Sequence, residues 1–135
     1  MLWSLPQQTD QGYIMKSEVG RFFSMMREKL PGIRAFFLLG PGGELLAHAS
    51  EDFRLDPEAF ASEYAMLLRI AQSASSDTGM GELQEQILTS ATATILLHRF
   101  PRDRFGVFVC SPDEQLGRLR YELKRSLLYS TLSNL

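Results

Sequence analysis

Apolar residues along this chain change period from segment to segment, and each change marks an element. From Ser17 to Leu30, Val19, Phe22, Phe23, Met26 and Leu30 follow helical i, i+3, i+4, i+7 spacing. The "LPG" at Leu30–Gly32 stops that helix. "IRAFFLLG" then reads as a strand with apolar residues on both parities, Ala35, Phe37 and Leu39 on one and Phe36 and Leu38 on the other. A strand apolar on both faces is usually covered on both. "ELLAHAS" predicts a second strand. Asp56 as N-cap with Pro57 at the first helical position opens a second helix, which runs to about Ser76 before "DTGMG". Phe60, Tyr64, Leu67 and Ala71 centre its apolar arc, with Met66 and Ile70 on one flank and Leu68 and Ala61 on the other. That arc is roughly twice the ~100° stripe that a helix on a sheet needs, so a second apolar surface is expected to touch it.

Three further strands follow. "ELQEQILTS" is weak and polar, which predicts an edge. "ATATILLHRF" is stronger, and "RFGVFVCS" is apolar on both parities and predicted to be central. The final helix is expected to open with a capping box, Ser111 as N-cap, Pro112 next and Glu114 at the third position. Leu116, Leu119, Leu123 and Leu127 form its expected buried stripe, with Tyr121, Leu128 and Leu132 off it. The order is α-β-β-α-β-β-β-α. Two double-sided strands require helices above and below, giving an α/β fold, a three-layer α/β/α sandwich around a five-stranded, mostly antiparallel sheet. Residues 15–135 are read as one domain and residues 1–14, with Trp3, Leu2 and Leu5, as a flexible tail.

Bulk properties narrow the functions. The chain has 135 residues, 44% hydrophobic and 22% charged, and net charge −2. There is no long basic run, which argues against nucleic acid as the main partner. No stretch is apolar for long enough to span a membrane, and the start lacks the basic-then-apolar pattern of a signal peptide; a cytoplasmic protein is expected. The one cysteine, Cys110, sits in an apolar run and is read as a buried inert thiol.

The stretch "LLGPGGELLAHAS" raises the question of a phosphate loop. It lacks the Lys and Ser/Thr of G-x-x-x-x-G-K-[ST], and a strand rather than a helix follows Gly40, Gly42 and Gly43. It is read as a tight hairpin turn. His48 and His98, the only histidines, have no cysteine or carboxylate at ligand spacing, so no metal site is expected; His98, beside Arg99, is expected to face solvent. Glu82 and Glu85 could be a carboxylate pair but read as a solvated edge, and Arg102, Asp103 and Arg104 as a charged turn, with an anion or partner contact as the alternative. Nothing favours catalysis by this chain, and no cofactor is expected.

The order of elements, together with "LPGIRAFFLLGPGGELLAHAS", "DPEAFASEYAMLLRIAQSAS" followed by "GMGELQEQIL", and "FGVFVCSPDEQLGRLRYELKRSL", resembles the roadblock/dynein-light-chain family. Leu116-Gly117 and Arg120 to Leu123 match the family's "…LG…R.EL…" final helix. The resemblance covers roughly Ser17 to Ser130. It implies a roadblock/profilin-like fold and dimers that lay second helices side by side and pair third strands edge to edge. On that basis Phe60, Tyr64, Met66, Leu67, Ile70, Ala74, Gln84, Gln86 and Leu88 are the expected dimer or partner interface. It further implies a homodimeric platform for a Ras-like small GTPase, able to stimulate GTP hydrolysis by ordering the partner's switch regions. A constitutive structural adaptor without effect on hydrolysis is the alternative. Arg69, the only basic residue of the second helix, is a weak candidate for an arginine finger against the plainer reading of a solvated side chain.

Overall fold

The computed structural model describes residues 6–51, 53–114, 116–126 and 128–134. Its elements are α1 (Pro6–Lys29), β1 (Ile33–Leu39), β2 (Leu45–Ser50), α2 (Pro57–Asp77), β3 (Glu85–Thr89), β4 (Thr94–Phe100), β5 (Arg104–Cys110), α3 (Leu116–Arg125) and α4 (Leu128–Ser133). The sheet order is β2-β1-β5-β4-β3, and every pairing is antiparallel. The two strands apolar on both parities, β1 and β5, lie adjacent in the middle, and polar β3 lies at an edge.

Period-2 alternation divides the core in two. Phe36, Leu38, Leu96, Phe100, Phe108 and Cys110 face the layer of α1, α3 and α4. Ala35, Phe37, Leu39, Leu97, Val107 and Val109 face α2. On the first side Phe22 of α1 meets Phe36 edge-on at 5.2 Å, and Phe36 meets Phe108 at 4.7 Å. Gly106 of β5 fits here because a Cβ would run into the rings of Phe36 and Phe100.

Asp56 caps α2 as expected, its carboxylate accepting from the Ala59 amide at 3.2 Å. The other boundaries differ from the sequence reading. α1 begins at Pro6 rather than Ser17; proline is favoured in a helix's first turn, a signal that the apolar period, which starts later, does not carry. Trp3, Leu2 and Leu5 lie outside the described residues. No capping box opens α3, which starts at Leu116. Glu114 instead accepts from the Gly32 amide at 2.7 Å, and the Ser111 amide donates to the Gly32 carbonyl at 2.8 Å, so this turn is spent tying β5 to the start of β1.

The final helix is also two helices. Ser126 Oγ accepts from the Leu128 amide at 2.9 Å at the start of α4, and Leu127 lies outside the described residues. The break carries Leu128 and Leu132 into the core beside Leu119 and Leu123, against the expectation that they lie off the stripe. Arg104 is buried, and its guanidinium donates to the Leu132 carbonyl at 2.8 Å, so it belongs to this closure rather than to the exposed turn.

Candidate partner-binding surface

Alanines set how α2 lies on the sheet. Ala61, Ala65 and Leu68 are its buried residues. Small side chains let the backbone approach closely, so the contact line passes through them and not through the expected centre of Phe60, Tyr64, Leu67 and Ala71. Phe60 and Tyr64 stay half-buried as one end of an aromatic row: Phe60 stacks on Phe37 at 4.7 Å, meets Phe53 at 5.0 Å and Tyr64 at 4.7 Å. The excess apolar width falls on the outer flank, where Met66 is 52% exposed, Leu67 39% and Ile70 63%. Ala74 is exposed on the same helix.

The second part of the surface is the edge of β3, which among the described residues pairs only with β4. Gln86 and Leu88 oppose Leu97 and Ile95 on the α2 side, and Leu88 packs on that core. Gln84 is exposed just before the strand. The Gln86 Oε1 is shielded from solvent without a hydrogen-bond partner. Ile87, on the opposite face, is an exposed apolar residue that the sequence reading did not select.

No protein-family model matches the sequence, and no curated protein sequence does. Solved structures do match in fold. MglB of Myxococcus xanthus is 17% identical with a TM-score of 0.73, over 91% of this chain and 87% of that one. The gliding protein MglB of Thermus thermophilus is 18% identical with a TM-score of 0.68, over 82% and 84%. A roadblock/LC7 domain of Streptomyces avermitilis is 15% identical with a TM-score of 0.68, over 78% and 88%. The chain has the roadblock/LC7 fold.

Within this roadblock fold the glycine stretch is a hairpin turn. The Gly40 amide donates to the Glu44 carbonyl at 2.8 Å, the Gly43 amide to the Gly40 carbonyl at 2.9 Å and the Gly42 amide to Glu44 Oε1 at 2.9 Å. These amides are committed, so they form no cradle for a phosphate. Gly43 has φ 85, which a non-glycine residue adopts only with strain.

A polar cluster on the other face of β3 was not anticipated as a unit. Glu85 pairs with His98 in register across β3 and β4. One Glu85 oxygen faces Arg120 of α3 at 2.5–2.6 Å, and the other faces His98 Nδ1 at 3.1 Å. His98 Nε2 meets the Tyr129 hydroxyl of α4. His98 is therefore mostly buried, where solvent exposure was expected, and Glu85 is anchored rather than solvated. Burial alone would raise the Glu85 pKa; the Arg120 hydrogen bond, then that of His98, outweigh it and hold it below its ordinary value. The Tyr129 phenol is pushed up to about 12, by burial first and the Glu85 charge second.

Glu82 stands apart, exposed, with Arg99 at 3.2 Å, and Arg99 also pairs with Asp103. His48 is exposed at the far edge of the sheet. Among the described residues no group of three or more His, Cys, Asp or Glu side chains is placed to hold a metal, and no helix is long and apolar enough to cross a membrane. Cys110 is fully buried, and its thiol is pushed up to about 12, by burial first and by the Glu114 charge second.

Proposed function

We propose that this chain is a cytoplasmic, homodimeric regulator of a Ras-like small GTPase, pairing with its own copy and presenting α2 to the GTPase so that hydrolysis is stimulated. The observation that carries the reading is the ridge of exposed Met66, Leu67 and Ile70 on α2, on the same molecule as an unpaired β3 edge. Exposed apolar residues grouped on one helix face mark protein contacts, and an open edge is a ready template for another strand. The family resemblance, and the likeness in fold to the two MglB structures, support the GTPase as partner. On this reading the chain supplies no catalytic group. It orders the partner's switch segments, and the GTPase's own residues perform the transfer.

The test compares wild type with Ile70→Glu. Ile70 is exposed in the single chain, so the variant keeps its fold. Light scattering gives the mass, and purified Ras-like GTPases of the same organism are titrated as GDP and GTP-analogue forms. A wild-type dimer that prefers the GTP form and accelerates hydrolysis, with Ile70→Glu losing the dimer or the binding, is the expected result. Equal affinity for both nucleotide states with no change in hydrolysis would make the chain an adaptor instead. An Ile70→Glu variant that stays dimeric and binds unchanged removes the interface assignment.

A further inference from the structure

The outer edge of β3 has a fixed hydrogen-bonding parity. The Arg99 amide donates to the Gln84 carbonyl at 2.9 Å and the Ser90 amide to the Ala93 carbonyl at 2.9 Å, so the even-numbered residues turn their backbone groups toward β4. Bonded and non-bonded positions alternate along an antiparallel pair. Glu85, Ile87 and Thr89 therefore turn their N–H and C=O groups outward, where β3 has no neighbouring strand among the described residues. The side chains sort with the same parity. Ile87 stands on the α1, α3 and α4 face, opposite Leu96, and is 42% exposed. Gln86 stands on the α2 face, opposite Leu97. Its Oε1 is the one buried side-chain oxygen among the described residues without a hydrogen-bond partner. An acceptor left in that state costs about 1–3 kcal/mol, and such a cost calls for a use.

Two copies of β3 related by a two-fold axis can pair only where outward residues face outward residues. With the axis on Ile87 every outward residue of β3 is used: Ile87 faces Ile87 of the second copy, and Glu85 faces Thr89. An axis on Gln86 leaves Thr89 unpaired within the strand, and an axis on Leu88 leaves Glu85 unpaired. An axis on Glu85 sets two carboxylates against each other, which is destabilising. The Ile87 axis also covers each exposed Ile87 side chain with its own copy. On the α2 face, Gln86 then lies diagonal to Gln86 of the second copy. Diagonal neighbours are about 7–8 Å apart, within reach of long side chains. The terminal torsion of glutamine is broad and roughly two-fold, so the carboxamide can turn its oxygen outward when a donor arrives. Each Nε2–H can then donate to the other's Oε1, the bond that the single chain lacks.

We propose that two copies of this chain join through β3 with Ile87 on the two-fold axis, and that their Gln86 carboxamides bond reciprocally across it. This rests on the reading of the chain as a homodimer and adds the register, which sets the offset between the two α2 ridges. Symmetry favours a second copy as the occupant of this edge. A strand of another protein would need its own amide at this one position, whereas in a two-fold interface each copy supplies what the other lacks.

The experiment uses the full chain. Light scattering gives the mass of wild type, and Gln86→Cys, Ile87→Cys and Leu88→Cys are each oxidised mildly and run without reductant; native Cys110 is buried and stays out of the reaction. Directly opposed, hydrogen-bonded positions place their Cα atoms about 5.5 Å apart, within disulfide range, and diagonal positions do not. Ile87→Cys should therefore form a covalent dimer about tenfold faster than the other two. Gln86→Glu and Gln86→Lys should each self-associate about tenfold more weakly, and an equimolar mixture of the two should recover the dimer mass. Faster cross-linking of Gln86→Cys or Leu88→Cys than of Ile87→Cys overturns the register and leaves the homodimer standing. A mixture that stays as weak as its components removes the Gln86 pair. A wild type that remains monomeric takes the homodimer reading and this one down together.

Discussion

Glu85 concentrates opposing effects in one side chain. It lies on an edge strand, yet it reaches inward to Arg120, and through His98 to Tyr129, so β3, β4, α3 and α4 share one carboxylate. The carboxylate can only accept from Nδ1, so that nitrogen carries the proton; in the neutral ring Nε2 is then free to accept from the Tyr129 hydroxyl. Because the folded-state pKa of Glu85 lies below its ordinary 4.5, its contribution to stability is complete above that value and is lost as pH falls through the folded pKa. Glu85→Gln should therefore cost about 1 kcal/mol at neutral pH, a figure kept small because Arg120 is partly solvated. The cost should shrink on acidification. Denaturant titrations at neutral and acidic pH check this, and an equal difference at both would show that the carboxylate charge contributes nothing. The sequence drew attention to Glu85 and His98 separately. Their meeting was hidden because it depends on strand register, and the third and fourth partners come from the end of the chain.

Element order was legible, since each helix and strand announces itself by period. What the period could not show was where tertiary demands redirect a local signal. Ser111 and Glu114 have capping-box spacing, but Glu114 serves the Gly32 amide. The last apolar stripe continues through Ser126, while the helix breaks there to bring Leu128 and Leu132 inward. The apolar arc of α2 was read correctly as too wide, but its buried line passes through Ala61 and Ala65 because closeness to the sheet, not side-chain size, decides the contact. Of the expected interface, Met66, Leu67, Ile70, Ala74 and Gln84 are exposed, whereas Phe60, Tyr64, Gln86 and Leu88 are partly engaged by the fold itself. Strand β5 offers a sharper test of packing. Gly106 leaves room for two phenyl rings, so Gly106→Ala should destabilise the domain by about 1–3 kcal/mol through overpacking, read as a lowered melting temperature. An unchanged melting temperature would show that the Phe36 and Phe100 rings move aside freely.

At the scale of the whole molecule, the sheet separates two layers of different character. The layer of α1, α3 and α4 closes its own core and carries Arg118, Arg120, Lys124 and Arg125 against Glu122 on α3. The single helix on the other side covers its core less completely and carries Glu58, Glu63 and Asp77 against Arg69. Strands apolar on both faces foretold the layering, and the over-wide apolar arc of α2 foretold which layer exposes a ridge; the residues that form the ridge depend on how closely Ala61 and Ala65 let α2 approach the sheet. The sheet is shared by both, and at the end of its central strand β5, fully buried in the core under α1, α3 and α4, lies Cys110. That placement makes the chain its own stopwatch. An alkylating reagent meets no thiolate while that core is closed, so each labelling event counts one opening of it. Labelling by iodoacetamide should be negligible in buffer and complete in denaturant. Its rate in between should slow further in any assembly that holds the sheet shut. Labelling in buffer at the pace of a free thiol would mean that this core breathes far more than its packing allows.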